Sequence, residues 1–306
     1  MKIQARAIGA LVLYAAAYGT SLTLLSADPE FAGSEVLAIM LIYGVGFTLA
    51  AWLATLRMTP LVVTVRRPAI EFSVVCAYLC LFALFFLGWG LSAIRSEVPA
   101  HPAQDVAILA SKVLCMVVLP AWLLTRLGYT WRELLAPQRL GHGGWIALIV
   151  IGTLLLVLQV TVGRGLQSLA ELSQSTTVVV ALAPVALAWL IIEAGLTEEF
   201  LFRAFFQTRA AAWLRSETAA IIVMALAFGL AHAPGYILRG AHAMEGMASA
   251  PTPLTAAAYA IVVVSPLGLM FGVLWARTRN LWLLAVLHGW GDLVPNLASF
   301  VRTWAG

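Results

Sequence analysis

Long apolar runs separated by short polar connections organise this 306-residue sequence. Five runs in the first half (residues 8–25, 36–56, 72–94, 106–124 and 144–162) meet or approach the roughly 20 residues a helix needs to cross a bilayer. The second half adds 176–213, interrupted by polar residues, then 219–232, 254–275 and 281–301. In lipid, backbone polar groups must pair within a helix or a closed barrel, and no two-residue alternation runs through these segments. The pattern therefore predicts an all-α, polytopic transmembrane helical bundle of about eight or nine segments. As one straight helix, 176–213 would be roughly 57 Å long, too long for a single crossing. A break near Pro184 or Gly195 is expected there.

Composition narrows the function classes. Hydrophobic residues make up 62% of the chain and charged residues 10%, against roughly 25% charged in soluble domains. With a mean hydropathy of +0.95, this excludes a soluble enzyme, a disordered chain and a nucleic-acid-binding protein. The net charge of +4 is then a matter of sidedness. Lys2, Arg6, Arg57, Arg66, Arg67, Arg126, Arg132, Arg139, Arg203, Arg209, Arg215, Arg277 and Arg279 fall at alternate connections or the helix ends feeding them, and the intervening loops carry most of the loop acids. The bias predicts a multi-pass protein of a bacterial cytoplasmic membrane with its N-terminus in the cytoplasm. The first run resembles a signal peptide, but with so many further spans an uncleaved anchor is expected. Cys76, Cys80 and Cys115 lie inside apolar runs and form neither a disulfide framework nor a zinc-type spacing. Residues 1–175 carry almost no ionisable group within their spans, Lys112 excepted, which either snorkels or faces the bundle. Residues 176–306 do carry such groups, which divides the chain into an N-terminal helical region and a motif-bearing core.

Three polar clusters interrupt that core: Glu198-Glu199-Phe200-Leu201-Phe202-Arg203, Phe228-Gly229-Leu230-Ala231-His232, and His288-Gly289-Trp290-Gly291-Asp292. Glu199 and Arg203 are four apart, as are His288 and Asp292, so each pair shares a helix face. Measured along helices from the charged turns at Arg215 and Arg279, Glu198, His232, His288 and Asp292 lie about 14 to 25 Å into the membrane. Taken singly, each has a bland reading. Glu199–Arg203 alone is a structural ion pair, a lone intramembrane histidine is a satisfied hydrogen-bonding residue, Phe228 is packing, and Glu193 is a wall residue. His101, His142 and His242 lie in loops without a partner signal, and Pro234-Gly235 ends the His232 helix. Two carboxylates, two histidines and an aspartate at matched depth are harder to explain by packing.

Such a set suits activation of water. A buried carboxylate acts as general base near neutral pH, an imidazole shares the proton, and a second pair stabilises the oxyanion formed at a carbonyl. The same residue types (Glu198, His232 and His288) are also zinc-ligand types, although no H-E-x-x-H helix is present. No G-x-S-x-G elbow occurs either.

E-E-x-x-x-R, then F-x-x-x-H, then H-x-x-x-[N/D] on successive hydrophobic segments resembles the CPBP family of CAAX-protease and bacteriocin-processing (Abi-like) intramembrane endopeptidases, which includes the type II CAAX prenyl endopeptidase. The resemblance implies catalytic roles for Glu198, His232, His288 and Asp292. Glu198 would be the general base, assisted by His232, with His288 and Asp292 on the oxyanion side. Glu199 and Arg203 would support the first motif. The prenyl endopeptidase has Asn where this chain has Asp292, and an ionised Asp cannot donate to an oxyanion. Asp292 is then protonated, orients His288, or helps hold a metal. Both a metal-free glutamate mechanism and a zinc enzyme follow from the family, so the cofactor is none or zinc. The expected partners are the lipid bilayer and a membrane-anchored or exported protein or peptide, with no nucleic acid. Two other readings compete: a proton- or ion-coupled transporter, and a non-catalytic membrane chaperone or immunity protein of the same fold.

Overall fold

A computed structural model describes residues 2–59, 63–135, 139–240 and 243–306; His242 lies outside them. The regular structure of the described residues is helical: α1 (Lys2–Leu25), α2 (Gly33–Ala54), α3 (Pro68–Glu97), α4 (Ala103–Arg126), α5 (Trp131–Leu135), α6 (His142–Thr161), α7 (Gly165–Ala170), α8 (Thr176–Leu214), α9 (Glu217–Ala231), α10 (Ala233–Arg239), α11 (Pro253–Val263), α12 (Ser265–Thr278) and α13 (Leu281–Ala305). Seven spans among the described residues are long and apolar enough to cross a membrane, and counting the bent pair α11–α12 as one more gives eight. This is close to the expected number, and the protein is an integral membrane protein. α13 is not among the seven. Its His288, Asp292, Asn296 and Arg302 lower its hydropathy. The burial pattern agrees: Leu11, Leu41, Leu84 and Ile149 are exposed, while Glu71, Glu199, Arg203 and Arg209 are buried. Apolar side chains outside and charges inside suit a lipid solvent.

Two expectations about breaks are corrected. α8 is helical without interruption from Thr176 to Leu214. In place of a break near Pro184 or Gly195 it has wide π-helical turns at Ile191–Leu196 and Phe200–Gln207. The 254–275 run, by contrast, is bent by 47° between α11 and α12. Pro234 does not end helical structure after His232; it sits in the first turn of α10, where a missing N–H costs nothing.

The chain forms two compact units, each drawing on both halves of the sequence. One comprises residues 1–53, 59–92 and 202–277. Within it α1 packs on α9 and α11, and α10 packs on α11, around Tyr14, Tyr18, Leu226, Met244 and Tyr259. The α11–α12 bend has a local cause. Pro266 has no N–H to give, and Ser265 donates its hydroxyl proton to the Ile261 carbonyl. Tyr14 therefore donates to the Ser265 oxygen, 2.8 Å away. α9 approaches this bend at Gly229, where a Cβ would lie 2.9 Å from the Ala260 carbonyl. A buried ion pair, Arg209 Nε to Glu71 Oε2 at 3.3 Å, sits in the same unit, with Glu71 Oε1 accepting from the Arg67 amide. Asp28, just beyond α1, accepts from the amides of Ala248 and Ser249 and from the Ser249 hydroxyl. These hydrogen bonds hold its carboxyl down at about 2.

The other unit comprises residues 54–58, 93–201 and 278–306. α13 is its axis, packed by α6, α7 and the first part of α8. The α8–α13 approach is close because glycine meets backbone from both sides. A Cβ at Gly195 would collide with the Ala285 carbonyl, and one at Gly289 would lie 2.7 Å from the Ile191 nitrogen. Gly195, expected as a hinge, is thus the point where the two helices touch. α6 braces α13 through polar contacts: the Trp290 indole donates to Gly152 O at 2.9 Å, and Gln159 Nε2 donates to Gly291 O at 2.7 Å. His101, expected to lack a partner, hydrogen-bonds Asp105 one turn away at 2.6 Å.

Candidate active site

The α8–α13 contact places Glu198 and Glu199 of the first sequence cluster together with the third cluster within one unit. Glu199, fully buried, accepts from His288 Nδ1 at 2.8 Å. A carboxylate can only accept here, so Nδ1 carries the proton, and the other ring nitrogen points the opposite way. That nitrogen, Nε2, lies 3.8 Å from Glu198 Oε2 and 3.7 Å from Asp292 Oδ2. Both separations exceed a direct hydrogen bond and match the span that a water or a substrate oxygen bridges. The Asp292 side chain is 37% exposed, against 12% for Glu198 and 7% for His288; the cluster opens on the Asp292 side.

Sequence reasoning missed the remaining member. Lys112 of α4 points into the cluster, and its Nζ donates to Glu193 Oε1 at 2.8 Å and Glu198 Oε1 at 3.0 Å. Glu193, expected as a wall residue, is therefore the second carboxylate on that ammonium. The two glutamates are five residues apart, a spacing that an α-helix would set about 140° apart around its axis. The π turn at Ile191–Leu196 pairs residues five apart instead, and so brings both carboxylates to one side. Thr197, also buried, donates its hydroxyl to the Glu193 carbonyl at 2.6 Å. A lone lysine in an apolar run was the available signal; the π turn that gives it two partners had none.

The second cluster and Arg203 belong to the other unit. His232 Nδ1 lies 2.8 Å from the Phe228 carbonyl. A carbonyl cannot donate, so this nitrogen carries the proton and, in the neutral ring, Nε2 is left as an acceptor. Phe228 also stacks edge-on against the His232 ring, 4.8 Å between centroids. F-x-x-x-H is thus one device that fixes both tautomer and ring orientation, more than packing alone. Arg203, fully buried, has its guanidinium 4.7 Å from the Phe228 ring centre and 5.8 Å from that of Phe271, and contacts the Met224 sulfur.

Among the described residues no group of three or more His, Cys, Asp or Glu is disposed to hold a metal ion. The Glu198 oxygen farther from His288 is moreover taken by the Lys112 ammonium.

Comparison with known proteins agrees with the three-motif resemblance. Residues 180–294 match the family model of the type II CAAX prenyl endopeptidase Rce1-like proteins, consistent with the CPBP family. The matched segment contains Glu198, Glu199, Arg203, His232, His288 and Asp292, and leaves Lys112 outside. No curated protein and no solved structure matches the chain.

Proposed function

We propose that this protein is an intramembrane endopeptidase that hydrolyses a peptide bond of a membrane-anchored or exported protein with water activated by Glu198. One observation carries the reading: His288 is held through Nδ1 by buried Glu199 while its Nε2 faces both Glu198 and Asp292. A histidine oriented by one carboxylate and presented to a second is an acid–base arrangement.

In the proposed reaction Glu198 takes a proton from water as the water oxygen bonds to the scissile carbonyl carbon. The carbonyl π electrons move onto oxygen. His288, doubly protonated among its carboxylates, donates Nε2–H to that oxyanion, and Asp292 as the neutral acid donates a second hydrogen bond or orients the ring. Collapse re-forms the carbonyl and breaks the C–N bond, and the proton on Glu198 passes to the leaving amine. His232 is assigned the assisting role that the resemblance gives it; its Nε2 acceptor is the form that role needs. No step runs through a metal.

The basic bias of the connections supports a cytoplasmic N-terminus in a bacterial cytoplasmic membrane, and the depth of the site then favours opening toward the outer face. That suits anchored or exported peptides better than a cytoplasmic prenylated tail. The test uses the full chain in liposomes with epitope-tagged single-span reporter proteins and a farnesylated peptide ending in a CAAX tetrapeptide. Wild type is expected to cut a single-span reporter, and folded Glu198→Gln and His232→Ala are expected not to. Wild-type processing by both variants, or no cleavage of any reporter, sinks the proposal. Cleavage that survives chelator dialysis supports the metal-free route, and loss restored by zinc overturns it. Cysteine labelling in the 235–253 loop reports the sidedness.

A further inference from the structure

Lys112 lies outside the residues that carry the family match, yet it is placed against the carboxylate the reaction depends on. We infer that Lys112 is a positioning residue for Glu198, an inference that rests on the proteolytic reading above. Its Nζ donates to Glu198 Oε1 at 3.0 Å, so one oxygen of the carboxylate is anchored by the ammonium. The working oxygen, Oε2, is the one that faces His288 Nε2. The anchor restrains the carboxylate about its terminal torsion, a broad and soft coordinate.

The anchor is itself built. The Lys112 side chain is only 14% exposed, and its second bond, to Glu193 at 2.8 Å, fixes the ammonium from another side. The π turn in α8 aligns Glu193 with Glu198, and α4 has a π turn of its own, Val113–Val118, directly after Lys112, packed against Thr197–Glu199. Two irregular turns therefore meet where the ammonium is inserted between the two carboxylates. A lysine that served only to neutralise buried charge would not need them.

The test measures kcat and KM of full-length protein in liposomes with the reporter that wild type cuts, for Lys112→Met, Lys112→Gln, Lys112→Arg and Glu198→Gln. Lys112→Met and Lys112→Gln are expected to lower kcat roughly 100-fold, the scale of a small misplacement of a reacting group. KM is expected to stay within about three-fold, because ground-state binding is untouched. Lys112→Arg, which keeps a cationic donor, is expected to recover at least about ten-fold of the lost kcat. Wild-type kcat in a folded neutral variant overturns the inference, as does a loss confined to KM or an arginine variant no better than the neutral ones. If Lys112→Met does not fold, Lys112→Gln against Lys112→Arg decides. Glu198→Gln separates the two levels. If it cuts normally, Glu198 is not the base and the mechanism proposed above fails; if it is dead while neutral Lys112 variants cut normally, only the positioning role fails.

Discussion

Gln159 of α6 donates to the Gly291 carbonyl of α13 at 2.7 Å, and that carbonyl is the one Pro295, four residues on inside the same helix, has no N–H to satisfy. In a bilayer neither water nor loop backbone is available to take its place. Removing the amide in Gln159→Leu is expected to destabilise the protein by about 1–3 kcal/mol, the cost of an orphaned buried acceptor. Pro295→Ala supplies the missing donor, so the double variant is expected to recover most of that loss. Unfolding in mixed micelles would show the coupling; strictly additive effects would refute it.

The glycine contact between α8 and α13 gives a second expectation. Gly289→Ala places a methyl 2.7 Å from the Ile191 nitrogen, and Gly195→Ala drives one into the Ala285 carbonyl. Each is expected to cost about 1–3 kcal/mol of stability, as overpacking does, and to lower kcat further by spreading Glu199 from His288. A variant with wild-type kcat and thermal stability would show that the helices have room to give.

Glu199 is tested by removing its charge alone. Glu199→Gln keeps the shape and an acceptor oxygen for His288 Nδ1, but an amide neither fixes the tautomer nor supports the imidazolium. A fall in kcat of roughly 10³–10⁴ with little change in KM is expected, on the precedent of carboxylate-to-amide exchange beside a catalytic histidine. Equal losses in kcat and in thermal stability of Glu199→Gln and Glu199→Leu would instead mark a purely structural role.

Asp28 makes a prediction about pH. Its carboxyl is held at about 2 by the Ala248 and Ser249 donors, below the unfolded value of about 3.9. A depressed acid contributes fully above its unfolded value and loses that contribution as pH falls through the folded one. The 243–252 segment is therefore expected to keep its protection from neutral pH down to about 4 and lose it between about 4 and 2. Asp28→Asn is expected to show the open behaviour already at neutral pH. Hydrogen exchange on this segment reads both; identical protection in the variant would discard the clip.

Much of this molecule was legible before any coordinates, and the part that was not has a common cause. Each apolar run became a helix because lipid leaves the backbone no alternative, and the meeting of Glu198 with His288 was reachable because scarce intramembrane charges must find partners; the bond from His288 to Glu199 was not. The partner of Lys112 was hidden by a spacing rule. Glu193 and Glu198 are five apart, which reads as opposite faces unless the turn between them is known to be wide. Gly195 was misread for a similar reason: a glycine in an apolar run signals a hinge and a tight helix contact equally well, and only the presence of Gly289 across from it decides. The tautomer of His232 depends on a main-chain carbonyl, which no side-chain pattern announces.

A π turn is an α-helix that has taken in one surplus residue. Excising Ile191 or Ile192 would return that stretch of α8 to regular helix with Glu193 and Glu198 still five apart, about 140° around the axis instead of on one side. No single side-chain exchange does this, and a one-codon deletion does. The juxtaposition of carboxylates on Lys112 is therefore written in the length of the chain as much as in its letters.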